Sequence, residues 1–176
     1  DKPCNTKFKD NIFHVCYFDG KEPKLADEEA LFQIDYNTIP EENEISAFNH
    51  DFGKGSIAKT GKIDEVFGIW RATVNFPPGE YQFTTLSDDG VKLELEGIGV
   101  IIDNFKHHAV KKDISEVITL EPIVDPDTGT LTTKRKVTLQ WFEGMGEAAI
   151  GLSWIGNPFD DDPCTQIPPG LEQSII

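Results

Sequence analysis

The sequence predicts an all-β protein built as an antiparallel sandwich or barrel, and three observations carry that expectation. Apolar residues alternate with polar ones at a period of two through most of the chain, clusters of Gly, Pro and Asp separate the alternating runs, and helical periodicity is weak. The 176 residues suffice for one domain with its own core. A content of 38% hydrophobic and 10% aromatic residues excludes a largely disordered chain.

The elements follow in order. The apolar run NIFHVCYFDG reads as a first strand. ADEEALF, from Ala26 to Phe32, joins an acidic first turn to good helix formers, so a turn or two of helix is expected there. From Tyr36 to Glu65 the chain is polar and dotted with Gly, which suggests long loops with a strand fragment. EVFGIWRATVNFPPG is a strand closed by a Pro-Pro-Gly turn. In the next run Tyr81, Phe83 and Thr85 share one face and Gln82, Thr84 and Leu86 the other. After SDDG, Val91, Leu93 and Leu95 point oppositely to Lys92, Glu94 and Glu96, so the pair reads as a hairpin with one wet face. GVIIDNF and SEVITLEPI add short strands, and the Asp-Pro-Asp-Thr-Gly cluster ending at Gly129 is a turn. A second hairpin is expected in KVTLQWFEGMGEAAIGLSWI, where Val137, Leu139 and Trp141 alternate into a loop and Ala148, Ile150, Leu152 and Trp154 alternate out of it. Trp70, Trp141 and Trp154 are expected in the core. Residues 1–158 form the expected domain, and the Pro- and Asp-rich residues 159–176 a C-terminal segment or linker.

Charge narrows the partners. With 31 acidic against 16 basic residues the formal charge is -15, which repels nucleic acid and anionic membranes and concentrates cations. No run of about 18 apolar residues is present to span a bilayer. The chain starts without a charged segment and an apolar stretch behind it, and reads as a mature protein or a domain of a longer secreted chain. Domain termini often lie close together, so a disulfide between Cys4 and Cys164 is expected, with Cys16 a buried thiol in an oxidising compartment. Three free thiols in a reducing cell are the alternative.

Enzyme chemistry finds little support. Adjacent aspartates do not suit a glycosidase, whose two carboxyl groups must flank the bond from separate positions. No Ser/His/Asp, Cys/His or phosphate-loop pattern stands out, and no enzyme is expected. His107 and His108 lack a third ligand at zinc spacing. DPDTGT lacks the alternating acids and terminal Glu of an EF-hand.

The combination of FGIWRATVNFPPGEYQF, SDDGVKLELEG, VIIDNF and WFEGMGEAAIGLSW resembles the protective-antigen N-terminal fragment family, the PA-fourteen domain, over about Asn11 to Trp154. The resemblance implies a β-sandwich of jelly-roll-like topology in secreted or surface proteins such as adhesins. In its lectin members an Asp-Asp pair, usually joined by a cis peptide, holds calcium, a second loop completes the shell, and sugar hydroxyls fill the remaining positions. By that similarity Asp88 and Asp89 match the pair and EGMGE the second loop, so that Gly144, Gly146 and Glu147 are expected metal ligands, with Met145 and His107 as walls of a carbohydrate site.

Physical chemistry supports such a use. Calcium takes six to eight oxygens, more than two aspartates supply. Glycines 144 and 146 can lend carbonyls and Glu147 a carboxylate. Two sugar hydroxyls can then replace waters and donate to the carboxylates. The implied function is a calcium-dependent lectin module of a secreted or cell-surface adhesin, with glycans as partners. The residues also fit an Asp-Asp-Gly turn, with Gly90 at positive φ, in a structural or protein-interaction domain that binds neither metal nor sugar.

Overall fold

The computed structural model describes residues 2–4, 7, 9–24, 28–37 and 46–159. Along the chain run β1 (Lys2–Pro3), β2 (Ile12–Asp19), β3 (Glu29–Ala30), β4 (Phe32–Asn37), β5 (Ser46–Gly53), β6 (Val66–Asn75), β7 (Gly79–Asp88) and β8 (Val91–Leu95). There follow β9 (Gly99–Asn104), β10 (Lys111–Ile114), β11 (Ile118–Leu120), β12 (Ile123–Val124), β13 (Leu131–Thr132), β14 (Lys134–Glu143) and β15 (Ala148–Pro158).

The long strands make two sheets packed face to face. One has six strands in the order β4-β2-β6-β14-β8-β9, and the other runs β10-β7-β15-β5, with β11 also on β7. All named strand pairs are antiparallel. The fold is the all-β sandwich expected. β12 and β13 form a small separate ribbon around the predicted turn, where Gly129 has φ +71° and donates to the Asp125 carbonyl.

Alternation decides which side chains meet between the sheets. From the six-stranded sheet come Phe13, Val15, Trp70, Leu93, Leu139 and Trp141, and from the other Phe83, Ile150 and Leu152, all within one buried cluster. Trp70 and Trp141 cross edge to face with ring centres 5.9 Å apart, while Trp154 is partly buried and rests on Phe76 and Phe83.

Several expectations are corrected. The runs on either side of SDDG are not a hairpin. β7 pairs with β15, β10 and β11, whereas β8 pairs with β14 and β9 in the opposite sheet. β14 and β15 likewise belong to different sheets. Alternation fixes which face of a strand is buried but not which neighbour it bonds, so an arch between sheets and a tight hairpin look alike in sequence. Nor is the outer face of the six-stranded sheet wet throughout. Cys4, Cys16, Phe18, Ala30, Phe67, Ile69 and Phe142 form a second buried cluster there, which is why β2 and β6 are buried on both faces.

No helix occurs among the described residues. In the predicted helical segment Ala26 and Asp27 lie outside them, Glu29–Ala30 pairs with Lys2–Pro3, and Phe32 begins β4. Tertiary pairing has overridden a short local propensity. The fragment expected between Tyr36 and Glu65 is β5, the edge strand of the second sheet.

The disulfide is also different. Cys4 is bonded to Cys16, with Cα atoms 6.0 Å apart. Cys16 is therefore not a thiol, and Cys164 lies outside the described residues. The β1-β3 ribbon carries Cys4 onto β2, and the Arg71 guanidinium donates to the Cys4 sulfur at 2.7 Å. The 159–176 segment falls outside the described residues beyond Phe159.

Candidate functional site

Both arches between the sheets stand at one end of the sandwich. The first, Asp88–Asp89–Gly90, links β7 to β8, and the second, Gly144 to Glu147, links β14 to β15. Register brings them together: Ala149 pairs with Asp88, and Trp141 with Val91. The bond between Asp88 and Asp89 is cis. Backbone hydrogen bonds fasten the first arch to the end of β14, with Asp89 N donating to Phe142 O at 3.2 Å and Phe142 N to Gly90 O at 3.1 Å. The Trp141 indole adds a bond to the Asp88 carbonyl at 3.1 Å.

Three carboxylates converge in this corner. One ligand oxygen each of Asp88, Asp89 and Glu143 lies within 4.8 Å of the others. A single calcium with ligands at about 2.3–2.6 Å can touch oxygens up to about 5 Å apart, so all three can reach one ion. Asp88 is 9% exposed, Asp89 6% and Glu143 0%.

Glu143 is the member that sequence reading missed. It ends the inward row Arg135, Val137, Leu139, Trp141, Glu143 of β14, every second residue of which is buried. A charge at an inward position of an alternating strand is itself a signal, and both ends of this row carry one. Arg135 finds carbonyls, those of Glu96 at 2.8 Å and Glu121 at 2.6 Å. Neither carboxylate oxygen of Glu143 has a hydrogen-bond partner among the described residues. Burial, the charges of Asp89 and Asp88, and a contact to the Asp89 carboxyl push the Glu143 pKa up to about 9. Asp88 is raised as well, chiefly by burial and then by Asp89, with Glu147 adding and His108 opposing.

Asp89 is held in place from three sides. Its Oδ2 accepts from Gly144 N at 2.8 Å, its Oδ1 accepts from His108 N at 3.3 Å, and His107 Nδ1 stands 3.7 Å from Oδ1. Gly144 is required by space: a Cβ there would lie 2.5 Å from His107 Cε1 and 3.4 Å from Asp89 Oδ2. Its carbonyl accepts from the Glu65 amide at 3.1 Å, so both of its backbone groups are already engaged in bracing the two loops. Gly146, at φ +97°, donates to Asp64 Oδ1 at 2.9 Å. Asp64 and Glu65 thus support the second arch from the loop before β6, a contribution that no local sequence pattern announces.

The remaining expected residues form the rim. Met145 is 80% exposed, Glu147 is exposed yet close enough to act on Asp88, and the His107 side chain is 59% exposed with its ring edge-on to Phe142 at 5.1 Å. Glu147 does not join the three converging carboxylates. The other grouping of metal-type residues, Cys4, His14 and Cys16, has its sulfurs tied up in the disulfide. The donor set of the acid corner, all oxygen and part buried, suits a hard cation such as calcium.

The same architecture recurs in solved structures. An anti-sigma factor domain-containing protein from Clostridium clariflavum superposes with a TM-score of 0.61 at 19% identity, over 88% of this chain and 46% of that one. The PA14 domain of the antifreeze protein MpAFP gives 0.57 at 11% identity, over 87% of each chain. A PA14 sugar-binding domain from an RTX adhesin gives 0.52 at 14%, over 84% of this chain and 91% of that one. This chain spans less than half the length of the anti-sigma factor domain-containing proteins it matches, 42% and 46%. No family model and no curated protein matches the sequence. Two sheets joined by paired arches, superposing on these domains over most of the chain, establish that the protein has the PA14 fold.

Proposed function

We propose that this domain is a calcium-dependent carbohydrate-binding module of a secreted or cell-surface adhesin. The observation that carries the reading is Glu143, fully buried, without a hydrogen-bond donor on either oxygen, and within reach of Asp88 and Asp89. A buried carboxylate in that state costs several kcal/mol unless a proton or a cation compensates it. Asp88, Asp89 and Glu143 would each coordinate calcium through a carboxylate oxygen, and Gly146, Met145 and Glu147 would offer further oxygens from the second arch. When bound, the ion supplies Lewis-acid positions that vicinal sugar hydroxyls can occupy. Asp88 and Glu147 would accept hydrogen bonds from those hydroxyls, and Met145 and His107 would wall the opening.

A neighbour of the same fold is described as a sugar-binding domain of an adhesin, which supports the ligand class. The disulfide between Cys4 and Cys16 supports an oxidising, extracellular setting. Little area is buried around one sugar, so affinity per site is low, and display in a longer chain or on a surface supplies avidity.

A second reading has one observation in its favour. Asp89 already accepts two backbone N–H groups, the arrangement of a carboxylate that staples a turn, as expected of a structural domain without metal. Calorimetric titration with calcium chloride, followed by a glycan array with calcium and then with chelator, separates the two. Calcium uptake with glycan binding lost on chelation is the expected result. Absence of calcium uptake by folded protein overturns the proposal and leaves the turn staple.

A further inference from the structure

The outward face of the five-stranded sheet carries a groove that the calcium reading does not use. Its volume is about 360 Å3, and Asn49, Thr84, Leu86, Lys112, Gly151 and Ser153 are among its walls. Strand register explains the shape. Lys112, Leu86, Gly151 and Asn49 stand in one row across β10, β7, β15 and β5, and Thr84 pairs with Ser153 in a nearby row. At about 4.8 Å between strands the first row spans about 14 Å, and near its middle Gly151 presents no side chain.

Nothing in the backbone demands glycine there, since Gly151 is not among the residues with positive φ. Glycine inside a strand weakens it, and it often marks a place where a ligand or another backbone comes close. A Cβ at Gly151 would stand 3.2 Å from Asn49 Oδ1, so the missing side chain keeps the trough open beside that amide.

The walls suit a hydroxyl-rich ligand. Among the described residues the Asn49 amide, the Thr84 and Ser153 hydroxyls and the Lys112 ammonium make no side-chain hydrogen bond or ion pair, which leaves donors and acceptors directed at the groove. Among the described residues no acidic side chain lines it, although the chain carries a net charge of -15. Leu86 adds one apolar contact of the kind a sugar ring's C–H face accepts.

Its position connects it to the acid corner. Leu86 and Thr84 precede Asp88 by two and four residues on β7, about 7 and 13 Å of strand. On β15, Gly151 pairs with Leu86 as Ala149 pairs with Asp88. A chain of sugars that begins at the arches and follows β7 and β15 enters the groove.

We infer that the groove is an extension subsite for an oligosaccharide, taking the units beyond the one seated at Asp88, Asp89 and Glu143. This rests on the lectin reading above. It makes the ligand class a chain of at least about three sugar units rather than a single terminal residue.

The test titrates folded protein first with calcium alone, then, calcium-loaded, with mannotriose, cellotriose and galactotriose and with the methyl glycoside of each unit sugar. One trisaccharide is expected to bind about tenfold more tightly than the methyl glycoside of its unit sugar, equivalent to about 1.4 kcal/mol. Asn49→Ala and Ser153→Leu each remove that gain while calcium and methyl glycoside affinities stay unchanged, and a thermal melt in calcium shows that each variant is folded. No calcium uptake overturns the lectin reading and this inference with it. Calcium uptake with glycoside binding but no gain from chain length, or a gain that survives both substitutions, overturns the groove alone. Calcium uptake without response to any sugar in the set overturns both.

Discussion

The amide of Gly144 donates to Asp89 Oδ2 at 2.8 Å, tying together two arches that lie 55 residues apart in sequence. The bond aims Asp89 toward Glu143 and fixes the distance between the loops. The acid corner therefore depends on both arches at once.

Calcium is expected to stabilise the folded protein. At a concentration about 100 times the dissociation constant the linkage contributes about 2.7 kcal/mol, which raises the Tm of a chain of this size by about 5–10 °C. Asp89→Ala removes a proposed ligand and the partner of Gly144 N, and is expected to abolish the rise. Differential scanning calorimetry with and without chelator measures it, and a rise retained in Asp89→Ala places the ion elsewhere.

Glu143 makes stability without calcium depend on pH. Its carboxyl is raised from an ordinary value of 4.5 to about 9 in the folded state, so between those values the native protein binds more protons than the unfolded chain. The contribution is full below about pH 4.5 and is lost as pH rises through about 9. Stability of the chelated protein should fall with pH across that window, and calcium should flatten the fall. Glu143→Gln should remove the dependence and weaken calcium binding. At pH 7 calcium uptake should release about one proton, read from titrations in buffers of different ionisation enthalpy.

Gly144→Ala places a Cβ 2.5 Å from His107 Cε1. The ring must swing away or the arch must shift, at a cost of about 1–3 kcal/mol. His107→Ala should relieve most of that, so that the double variant is more stable than the Gly144→Ala single. A thermal double-mutant cycle reads the coupling, and additive losses would mean that the clash lies with the backbone rather than with the imidazole.

The Cys4–Cys16 bond closes a loop with a sequence separation of 12. Replacing both cysteines with alanine should lower stability by about 3 kcal/mol. Peptide mapping of unreduced protein should recover Cys4 and Cys16 in one linked pair, and recovery of Cys4 linked to Cys164 instead would refute the pairing.

Much of the fold was legible because its signals are local. Val137, Leu139 and Trp141 alternate whatever they pair with, and the Gly, Pro and Asp clusters break strands wherever they occur. The aspartate pair also stood out, through its resemblance to a family pattern. Glu143 was within reach, since it continues the inward row after Trp141, yet it is also the first residue of EGMGE, whose glycines signal a loop. The helix expected after Ala26 failed because Glu29–Ala30 pairs with a strand 27 residues earlier, at Lys2–Pro3, and local propensity carries no record of that.

By itself the sequence determined most of the long strands, the inward face of each and the two acidic or glycine-rich bends between them, because periodicity and turn chemistry act over a few neighbouring residues. Only the tertiary structure decided that those bends cross between sheets rather than close hairpins, that Cys4 reaches Cys16, and that Glu143 meets Asp88 and Asp89. Each of these depends on contacts between segments distant in sequence, where packing of two whole sheets, and no local preference, selects the partner.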